Sequence, residues 1–410
     1  MPDLIALLMP GGAPFVDALL AAWDAGDAVL PLDPAAPRQH LDAVIESLRP
    51  TAVIESDGER RRLDGDPVEA GDALVVASSG TTGAPKGAVH TRAGIEAAAF
   101  ATSVAAGVTA DAKWLACLPL SHVGGLSVVT RALMTGTPLE VIDRADPARI
   151  DDAARRGATH VSLVPTVLGR IDASPWHTIL LGGSAIPAHR PANTIATYGM
   201  TETFGGVVYD GHFLPSVEVR ILDVEDDVRG GPRMPGTDEV CSRTGAPRLA
   251  ADGDVGPIEV RTPTLCRGYR GGLLPVDPAG WYRTGDLGAI DPTTRQLVVH
   301  GRGDDLIITG GEKVWPTDVE TVLAGHHGIA EVAVVGRPDD EWGARVVAVV
   351  VPRDPDDPPS LESVRDLVRA SLPVAAAPKA LEVVDSLPRT GLGKIRRAAV
   401  STPTGSRNDG

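Results

Sequence analysis

Residues 75–87, "VVASSGTTGAPKG", join a short apolar run to a segment of small, hydroxylated and cationic residues. Glycines let a backbone approach a ligand closely, hydroxyl and backbone N–H groups bond phosphate oxygens, and a lysine adds a compact positive charge. A flexible surface turn is the other interpretation, but the strand before the run and the lysine at its end favour an anion-binding loop. The candidate binding residues are Ser78, Ser79, Gly80, Thr81, Thr82, Gly83 and Lys86.

This loop differs from the G-x-x-x-x-G-K-[ST] phosphate loop. Gly87 follows Lys86, so no hydroxyl stands beside the lysine to hold magnesium. The chain has five lysines among 38 basic residues, and three of the five lie within motifs. Because arginine is otherwise so strongly preferred, lysine at these positions indicates a demand for a compact charge.

The composition predicts a folded protein with two unequal domains. The chain has 410 residues, more than one domain usually holds. Hydrophobic residues make up 43% of the sequence and aromatic residues 3%, which indicates a core of Ala, Val, Leu and Ile. The net charge of −16 argues against nucleic acid as a partner, because binding to a phosphate backbone depends on clustered Lys and Arg.

The cysteines and the apolar runs indicate a cytoplasmic protein. Cys117, Cys241 and Cys266 lack metal-ligand spacing and cannot form a disulfide framework, so we interpret them as packing residues in a reducing compartment. No apolar run reaches the ~18 residues that a membrane span needs, and "MPDLIALLMPGG" at the start has no basic leader. We therefore expect no membrane span.

Helix-like and strand-like stretches alternate in the first half of the chain. "FVDALLAAWDAG" (15–26) and "LDAVIESLRP" (41–50) have apolar residues at helical spacing, whereas "DAVLPLDP" (27–34) and "TAVIES" (51–56) are short apolar runs. Similar short runs return at 159–165, 177–184 and 193–199. Strands separated by helices predict a mostly parallel sheet with helices on its faces, and ligands gather at the carboxyl ends of such strands.

The pattern changes from about residue 215. Alternating runs indicate antiparallel strands, and the segment 224–256 is rich in Asp, Gly, Arg and Pro and is predicted to be a loop. Residues 317–388 then show helix, strand, strand, helix and strand patterns with their own apolar set. We predict an α/β protein, α+β overall. It has a large N-terminal domain (1–301) of mostly parallel sheets flanked by helices plus a β-rich subdomain, a hinge (302–304), a small mobile α+β C-terminal domain (305–400) and a disordered tail (401–410).

Seven motifs in a fixed order identify the chain as a member of the adenylate-forming superfamily, which includes acyl-CoA synthetases, nonribosomal peptide adenylation domains and firefly luciferase. They are "SSGTTGAPKG" (78–87), "LPLSHVGGL" (118–126), "LLGGSAIP" (180–187), "YGMTET" (198–203), "WYRTGDLG" (281–288), "GRGDDLIITGGEKVWPTDVE" (301–320) and "PRTGLGKIRR" (388–397). The resemblance implies that a carboxylic acid reacts with ATP to give an acyl-AMP and pyrophosphate, and that the acyl group then passes to a thiol. ATP, Mg²⁺ and coenzyme A are the implied cofactors and co-substrates.

The resemblance assigns the nucleotide contacts. Tyr198 would stack on adenine, Thr201 would bond the α-phosphate, and Glu202 would ligate magnesium, a hard cation that prefers oxygen. Asp286 would accept hydrogen bonds from both ribose hydroxyls, and Arg302 would add a charged bond to the same sugar. Other interpretations are that Thr201 and Glu202 cap a helix, that Asp286 caps its own turn, and that Arg302 pairs on the surface with Asp304 or Asp305.

Lys394 resembles the catalytic lysine of the superfamily. Its ammonium would neutralise the charge that spreads between the attacking carboxylate and the α-phosphate. The alternative is a solvated basic patch, since Arg396 and Arg397 follow at once. The family rotates its small domain about a hinge, which matches Asp304 here, and Gly310 and Gly311 would then leave room for the pantetheine arm of CoA.

The acid site is predicted from "PLSHVGGLSVVTRAL". The spacing of His122 and a later basic residue, Arg131, is similar to that of the o-succinylbenzoate–CoA ligases, the menaquinone-pathway branch of the superfamily. Their acid has two carboxylates, so the one that is not activated would pair with Arg131. His122 would lie beside the bound acid, with Gly183 and Ser184 in the pocket wall. A structural histidine is the other interpretation of His122, and a turn at Gly124–Gly125 leaves the direction of the two side chains open.

Two other functions share these motifs. An adenylation enzyme that loads a carrier protein would reject free CoA as the acceptor. A nucleotide-binding regulator without activity predicts the loss of motif residues, whereas Glu202, Asp286, Arg302 and Lys394 are all present. The oligomeric state, a homodimer included, stays open, because many superfamily members have a longer N-terminal region.

Overall fold

The structure is a computed structural model that describes residues 1–79, 85–183, 186, 189–223, 247–389 and 395–401, with the backbone alone at Ser79 and Ala398. Some predicted features lie outside the described residues: Gly80, Thr81, Thr82, Gly83, Ser184, Cys241, Lys394, residues 224–246 of the predicted loop, and the tail from residue 402. Contacts divide the chain into two units. The first unit is Met1–Leu249, Glu259–Arg283 and Asp291–Leu297, and the second is Ala250–Ile258, Thr284–Ile290 and Val298–Gly410.

Most strands are short. They are β1 (Leu4–Leu8), β2 (Ala28–Leu32), β3 (Ala52–Glu55), β4 (Arg60–Arg62), β5 (Asp72–Ser79), β6 (Pro85–Thr91), β7 (Trp114–Ala116), β8 (Leu139–Val141), β9 (His160–Leu163), β10 (Thr178–Leu181), β11 (Thr194–Met200), β12 (Gly205–Tyr209), β13 (His212–Phe213), β14 (Glu218–Ile221), β15 (Gly256–Arg261), β16 (Gly268–Tyr269), β17 (Gly272–Leu273), β18 (Tyr282–Ile290), β19 (Leu297–Arg302), β20 (Ile307–Thr309), β21 (Glu312–Val314), β22 (Ile329–Asp339), β23 (Gly343–Pro352) and β24 (Ala380–Val383).

The helices lie between these strands. They are α1 (Ala13–Asp24), α2 (Arg38–Leu48), α3 (Arg92–Ala105), α4 (Val123–Thr135), α5 (Pro147–Arg155), α6 (Pro165–Leu168), α7 (Pro316–Leu323), α8 (Leu361–Arg369) and α9 (Arg397–Ser401), with 3-10 turns at Thr201–Thr203, Gly303–Asp305 and Val374–Ala376. Their ends follow local chemistry. The Thr91 hydroxyl accepts the Gly94 N–H at the start of α3. Gly136, with φ 66°, ends α4 in the left-handed conformation that glycine adopts without strain.

Two sheets organise the first unit. One has the strand order β17-β16-β6-β5-β2-β1-β3-β4, in which β3, β1, β2 and β5 are parallel. The other has the order β13-β12-β11-β10-β9-β7-β8, in which β8, β7, β9, β10 and β11 are parallel. The strands β1 and β2 are buried along nearly their whole length, as expected for parallel strands covered on both faces. A further sheet has the order β14-β15-β18-β19.

The second unit contains a sheet of order β22-β23-β24 and the two-stranded pair β20-β21. Strands β22 and β23 are antiparallel, and β24 runs parallel to β23. Helices α7 and α8 contribute Val319, Leu323, Val364 and Val368 to one apolar cluster with these strands. This is the separate apolar set that the C-terminal pattern predicts.

The predicted fold class is confirmed, with mixed α/β architecture, parallel sheets flanked by helices and a smaller C-terminal α+β part. The helices and strands expected at 15–56 and at 317–388 form within a few residues of the predicted bounds. The domain limits at 302–304 stay a prediction. Within the described residues, every helix is too short or too polar to cross a lipid bilayer.

Candidate active site

The carboxyl ends of the parallel strands β7, β10 and β11 bring predicted residues to one edge of a sheet. His122 follows β7 and directly precedes α4, Gly183 comes just after β10, and Tyr198 and Thr201 lie at the end of β11. The half-buried Tyr198 is paired with Val208 of β12, and a bulge follows it. Parallel strands of one sheet end at the same edge, so the structure brings these residues to one edge of the sheet.

Close backbone packing fixes the start of α4. A Cβ on Gly125 would lie 2.3 Å from the carbonyl oxygen of Leu118, so this position requires glycine. The helix runs without a break through Gly124 and Gly125. His122 precedes the helix in an extended conformation, with φ −126° and ψ 149°, whereas Arg131 lies within α4, so helical spacing does not relate the directions of the two side chains.

Arg131 is buried in the first unit. It is 4% exposed, and its guanidinium carbon lies 4.5 Å from the ring centre of Trp114. Burial lowers the pKa of Arg131, an effect that Tyr209 opposes. Among the described residues, neither its Nε nor its Nη1 has a hydrogen-bond partner. Two unpaired donors in a buried cation are costly unless an anion meets them.

Strand β16 and the residue Cys266 before it bond to the turn at Thr201–Thr203. The hydroxyl of Tyr269 donates to Oε1 of Glu202 at 2.7 Å, and the Cys266 N–H donates to the Glu202 carbonyl oxygen at 2.7 Å. Thr203 completes the turn, because its hydroxyl donates to the Gly205 carbonyl oxygen at 2.7 Å. The Glu202 carboxylate is thus fixed by a neighbouring strand.

Two residues of β6 lie near this turn. His90 contacts the turn itself, and Lys86 contacts Tyr269, which bonds Glu202. His90 bonds to the backbone of Thr201, and its ring centre lies 4.9 Å from that of Phe204. Burial lowers the pKa of His90 to about 3, so the ring is neutral. The Lys86 ammonium lies 5.4 Å from the ring centre of Tyr269. Tyr269 therefore contacts both a predicted phosphate-binding lysine and a predicted magnesium ligand.

The base of the phosphate loop is an antiparallel pairing of β5 and β6. Ser78 lies opposite Lys86, and its hydroxyl donates to the Lys86 carbonyl oxygen at 3.4 Å. The Lys86 backbone is therefore part of a strand. Residues 80–84, at the tip, lie outside the described part of the chain.

In the second unit, Asp286 and Arg302 lie together. Nη1 of Arg302 is 3.6 Å from Oδ1 of Asp286 and donates to the Thr284 carbonyl oxygen at 3.2 Å. A Cβ on Gly285 would lie 3.0 Å from this guanidinium, and the φ of Gly285 is +80°. The predicted ribose pair is thus preassembled, whereas Asp305 pairs with Arg397 at 3.3 Å.

Gly310 and Gly311 form the turn between β20 and β21. Both have positive φ, +59° and +85°, which favours glycine. A Cβ on Gly310 would lie 2.6 Å from the Trp342 ring, and the Gly310 N–H donates to the Trp342 carbonyl oxygen at 2.8 Å. The Lys379 ammonium is 3.3 Å from the centre of the same ring.

Two protein families match this chain. The family described as AMP-binding enzyme matches residues 2–270, and the family described as AMP-binding enzyme C-terminal domain matches residues 318–394. The chain belongs to the AMP-binding enzyme family. The predicted membership of the adenylate-forming superfamily is confirmed.

Relatives of this AMP-binding enzyme carry a more specific name. A probable 2-succinylbenzoate–CoA ligase of Mycobacterium tuberculosis is 37% identical over 363 residues, which cover 82% of this chain and 85% of that protein. The 2-succinylbenzoate–CoA ligase of Listeria monocytogenes is 32% identical over 79% of this chain and 68% of its own. The solved o-succinylbenzoate CoA synthetase of Bacillus subtilis, in complex with the acyl-adenylate intermediate OSB-AMP, matches with a TM-score of 0.81 and 25% identity. That match covers 98% of this chain and 88% of the synthetase.

The residues of the AMP-binding enzyme fit a magnesium ion that is held mainly by the nucleotide. Within the described ranges, no group of three or more His, Cys, Asp or Glu side chains could hold a metal by itself. Tyr269 bonds Oε1 of Glu202, so Oε2 would be the oxygen that ligates the metal. Mg²⁺ commonly binds through one or two carboxylates together with substrate phosphates, so a single carboxylate suffices.

Sequence reasoning missed Tyr269 and His90. Tyr269 lies on β16 and His90 on β6. These two strands pair with Tyr269 opposite Ala88, although they are far apart in the sequence. A signal does exist for His90, which is four positions beyond Lys86 and so points to the same face of β6. Cys117 and Cys266 are packing residues as predicted, and burial raises the pKa of each thiol to about 12.

Proposed function

We propose that the chain is an ATP-dependent acid–CoA ligase that converts 2-succinylbenzoate to 2-succinylbenzoyl-CoA in menaquinone biosynthesis. The similarity to 2-succinylbenzoate–CoA ligases over about four fifths of the chain supports it most. The presence of Glu202, Asp286, Arg302 and Lys394 supports the chemistry. A cytoplasmic location, suggested by the scarcity of cysteine, is part of the same proposal.

In the first step, the acid carboxylate attacks the α-phosphorus of ATP. A bond forms from the carboxylate oxygen to phosphorus, the bond to the pyrophosphate oxygen breaks, and pyrophosphate leaves. Thr201 bonds the α-phosphate, Lys394 stabilises the spreading charge, and the loop from Ser78 to Lys86 binds the outer phosphates. Glu202 would hold a Mg²⁺ ion, which would supply neutralisation of the phosphate charge.

The remaining contacts orient the nucleotide. Tyr198 stacks on adenine, Asp286 accepts hydrogen bonds from the ribose hydroxyls, and Arg302 adds a charged bond to the same sugar. Because the Asp286–Arg302 pair forms without a ligand, little ordering is left for the moment of binding.

In the second step, the thiol of CoA loses its proton to solvent and its sulfur bonds to the acyl carbon, while AMP leaves. This step does not need Lys394. Rotation about Asp304 removes the lysine and brings the Gly310–Gly311 turn to the thiol path. Of the two predicted glycines, only Gly311 leaves space for the slender pantetheine arm, because a Cβ there would meet nothing within 4 Å, whereas the Trp342 ring fills the place of a side chain at Gly310.

The acid pocket involves the start of α4 and the end of β10. His122 lies beside the bound acid, with Gly183 and Ser184 in the wall. Arg131 remains the candidate partner of the second carboxylate, because its buried Nε and Nη1 donors have no partner in the described part of the chain.

An acid panel tests the function. Pyrophosphate release is measured with ATP and CoA and with 2-succinylbenzoate, benzoate or a medium-chain fatty acid. We expect CoA-dependent release that is fastest with 2-succinylbenzoate. Similar rates for all three acids would contradict the assignment of the acid, and adenylation without acyl transfer to free CoA would indicate a carrier-loading enzyme.

A further inference from the structure

The two sides of segment 390–394, which carries Lys394, are anchored in the second unit. Arg389 and Ile395 pair as an isolated antiparallel bridge, and the Arg396 N–H donates to the Pro388 carbonyl oxygen at 2.8 Å. Nη2 of Arg389 also lies 2.7 Å from a carboxylate oxygen of Glu331 on β22. The described residues on either side of the lysine segment are therefore bonded to each other and to β22.

Arg397, three residues after Lys394, makes the most buried of these anchors. Its Nη2 donates to both carboxylate oxygens of Glu320 on α7. Glu320 is 9% exposed, and it also accepts the Val334 N–H at 2.8 Å. A buried pair of this kind contributes little net stability but holds its two partners in one geometry, since separating them leaves an uncompensated charge.

Arg397 has a second partner at the predicted hinge. Its Nη1 lies 3.3 Å from Oδ2 of Asp305. Asp305 ends the 3-10 turn Gly303–Asp305 and directly follows the hinge residue Asp304. Arg397 therefore joins the first residue after the hinge to the described residues that follow the lysine segment.

We propose that Arg397 is a positioning residue for adenylation, which transmits rotation at Asp304 to Lys394 through its contacts with Asp305 and Glu320. This inference rests on the proposed roles of Lys394 and Asp304. A rotation about one residue places a distant ammonium accurately when the chain after the pivot is rigid. The Arg397 contacts supply that rigidity from residue 305 onward. Thioester formation does not use Lys394, so it does not depend on this link.

The test separates the two half-reactions of the full-length enzyme. Adenylation is followed as acid-dependent ATP–pyrophosphate exchange, and thioester formation is followed in a single turnover from preformed acyl-adenylate and CoA. Asp305→Asn and Arg397→Lys should each lower kcat of adenylation by ~10- to 100-fold, the scale of a small misplacement of a catalytic group. We expect KM for ATP and the thioester rate to stay within about two-fold of those of the unaltered enzyme, because neither depends on the position of Lys394.

The matched control is Arg369→Ala. Arg369 lies at the end of α8 in the same unit and pairs on the surface with Asp366 at 3.7 Å. We expect no change in either half-reaction. If Arg397→Lys fails to fold, Asp305→Asn still tests the inference, because it keeps the buried pair of Arg397 and Glu320.

Equal losses in both half-reactions, or unchanged adenylation in Asp305→Asn, would overturn the inference. A Lys394→Ala variant distinguishes this result from a failure of the proposed function. If Lys394→Ala abolishes adenylation while Asp305→Asn retains it, the link through Arg397 alone is wrong. If Lys394→Ala retains adenylation, the proposed role of the lysine is wrong.

Discussion

The Glu202 carboxylate shows how one residue depends on a strand far away in sequence. Tyr269 on β16 donates to it, and that strand pairs with β6, which carries Lys86 and His90. Burial and the negative charge of Glu202 raise the pKa of Tyr269 well above its usual range, so the phenol stays a donor. The carboxylate is thereby fixed before any nucleotide binds.

Tyr269→Phe should weaken metal binding while leaving the fold intact. The change removes the hydroxyl that holds Glu202, and a hydrogen bond to a charged group contributes about 1.5–3 kcal/mol. We expect the Kd of Mn²⁺ for the enzyme–ATP complex, measured by electron paramagnetic resonance, to rise by ~10-fold or more. The control is Tyr209→Phe, which removes a buried hydroxyl that bonds Thr102 at 3.1 Å. An equal rise in Kd in both variants would contradict a specific role of Tyr269.

Arg131→Ala tests whether the buried guanidinium binds a substrate carboxylate. We expect the transition-state stabilisation calculated from kcat/KM for 2-succinylbenzoate to weaken by ~2–5 kcal/mol, the range for truncating one side of a buried charged pair, and kcat/KM for benzoate to stay unchanged. Arg92→Ala is the control, because Arg92 also stacks on a tryptophan, Trp23, at 4.2 Å. Equal losses for both acids in Arg131→Ala would make Arg131 a packing residue.

At the scale of elements, helix α4 depends on one close backbone approach. Gly125 packs against the Leu118 carbonyl, whereas a Cβ on Gly124 would meet its nearest neighbour at an ordinary 3.5 Å. The sequence alone did not show whether the glycine pair breaks the helix. The space around each glycine depends on the turn before the helix, so a pattern of residue types could not decide it.

Gly125→Ala should destabilise the first unit, and Gly124→Ala should not. Forcing a methyl group against the Leu118 carbonyl costs about 1–3 kcal/mol of unfolding free energy. At Gly124, alanine adds helix propensity of up to about 1 kcal/mol. Denaturant unfolding of the two variants measures the difference. A loss of stability in Gly124→Ala as large as that in Gly125→Ala would show that the backbone approach is not what matters.

Local patterns predicted most of the elements, and pairing between distant segments accounts for what they missed. Apolar periodicity was sufficient for α1, α2, β2, β3 and the helices and strands from α7 to β24, because burial and spacing are local properties. The position of Lys86 within β6 and the support of Glu202 by Tyr269 depend on antiparallel pairings across the sheet. The spacing of residue types along the sequence does not indicate which distant strands pair.

At the scale of the whole molecule, the two-step chemistry requires the hinge to adopt two conformations. Asp304→Pro should spare adenylation and block thioester formation, because the proline ring fixes φ near −65°. Asp304→Ala is the control, since alanine keeps the backbone freedom of the hinge. The two half-reaction rates of each variant measure the effect. Equal loss of both half-reactions in Asp304→Pro, or a blocked thioester step in Asp304→Ala, would contradict a hinge at this residue.

The most direct test of the central claim follows the acid oxygen through the reaction. 2-Succinylbenzoate labelled with oxygen-18 in its carboxylates is incubated with ATP, CoA and the enzyme, and the nucleotide product is analysed by mass spectrometry. Attack on the α-phosphorus predicts AMP that carries one heavy oxygen. Unlabelled AMP, or ADP together with labelled inorganic phosphate, would show that the acid is not activated as an acyl-adenylate.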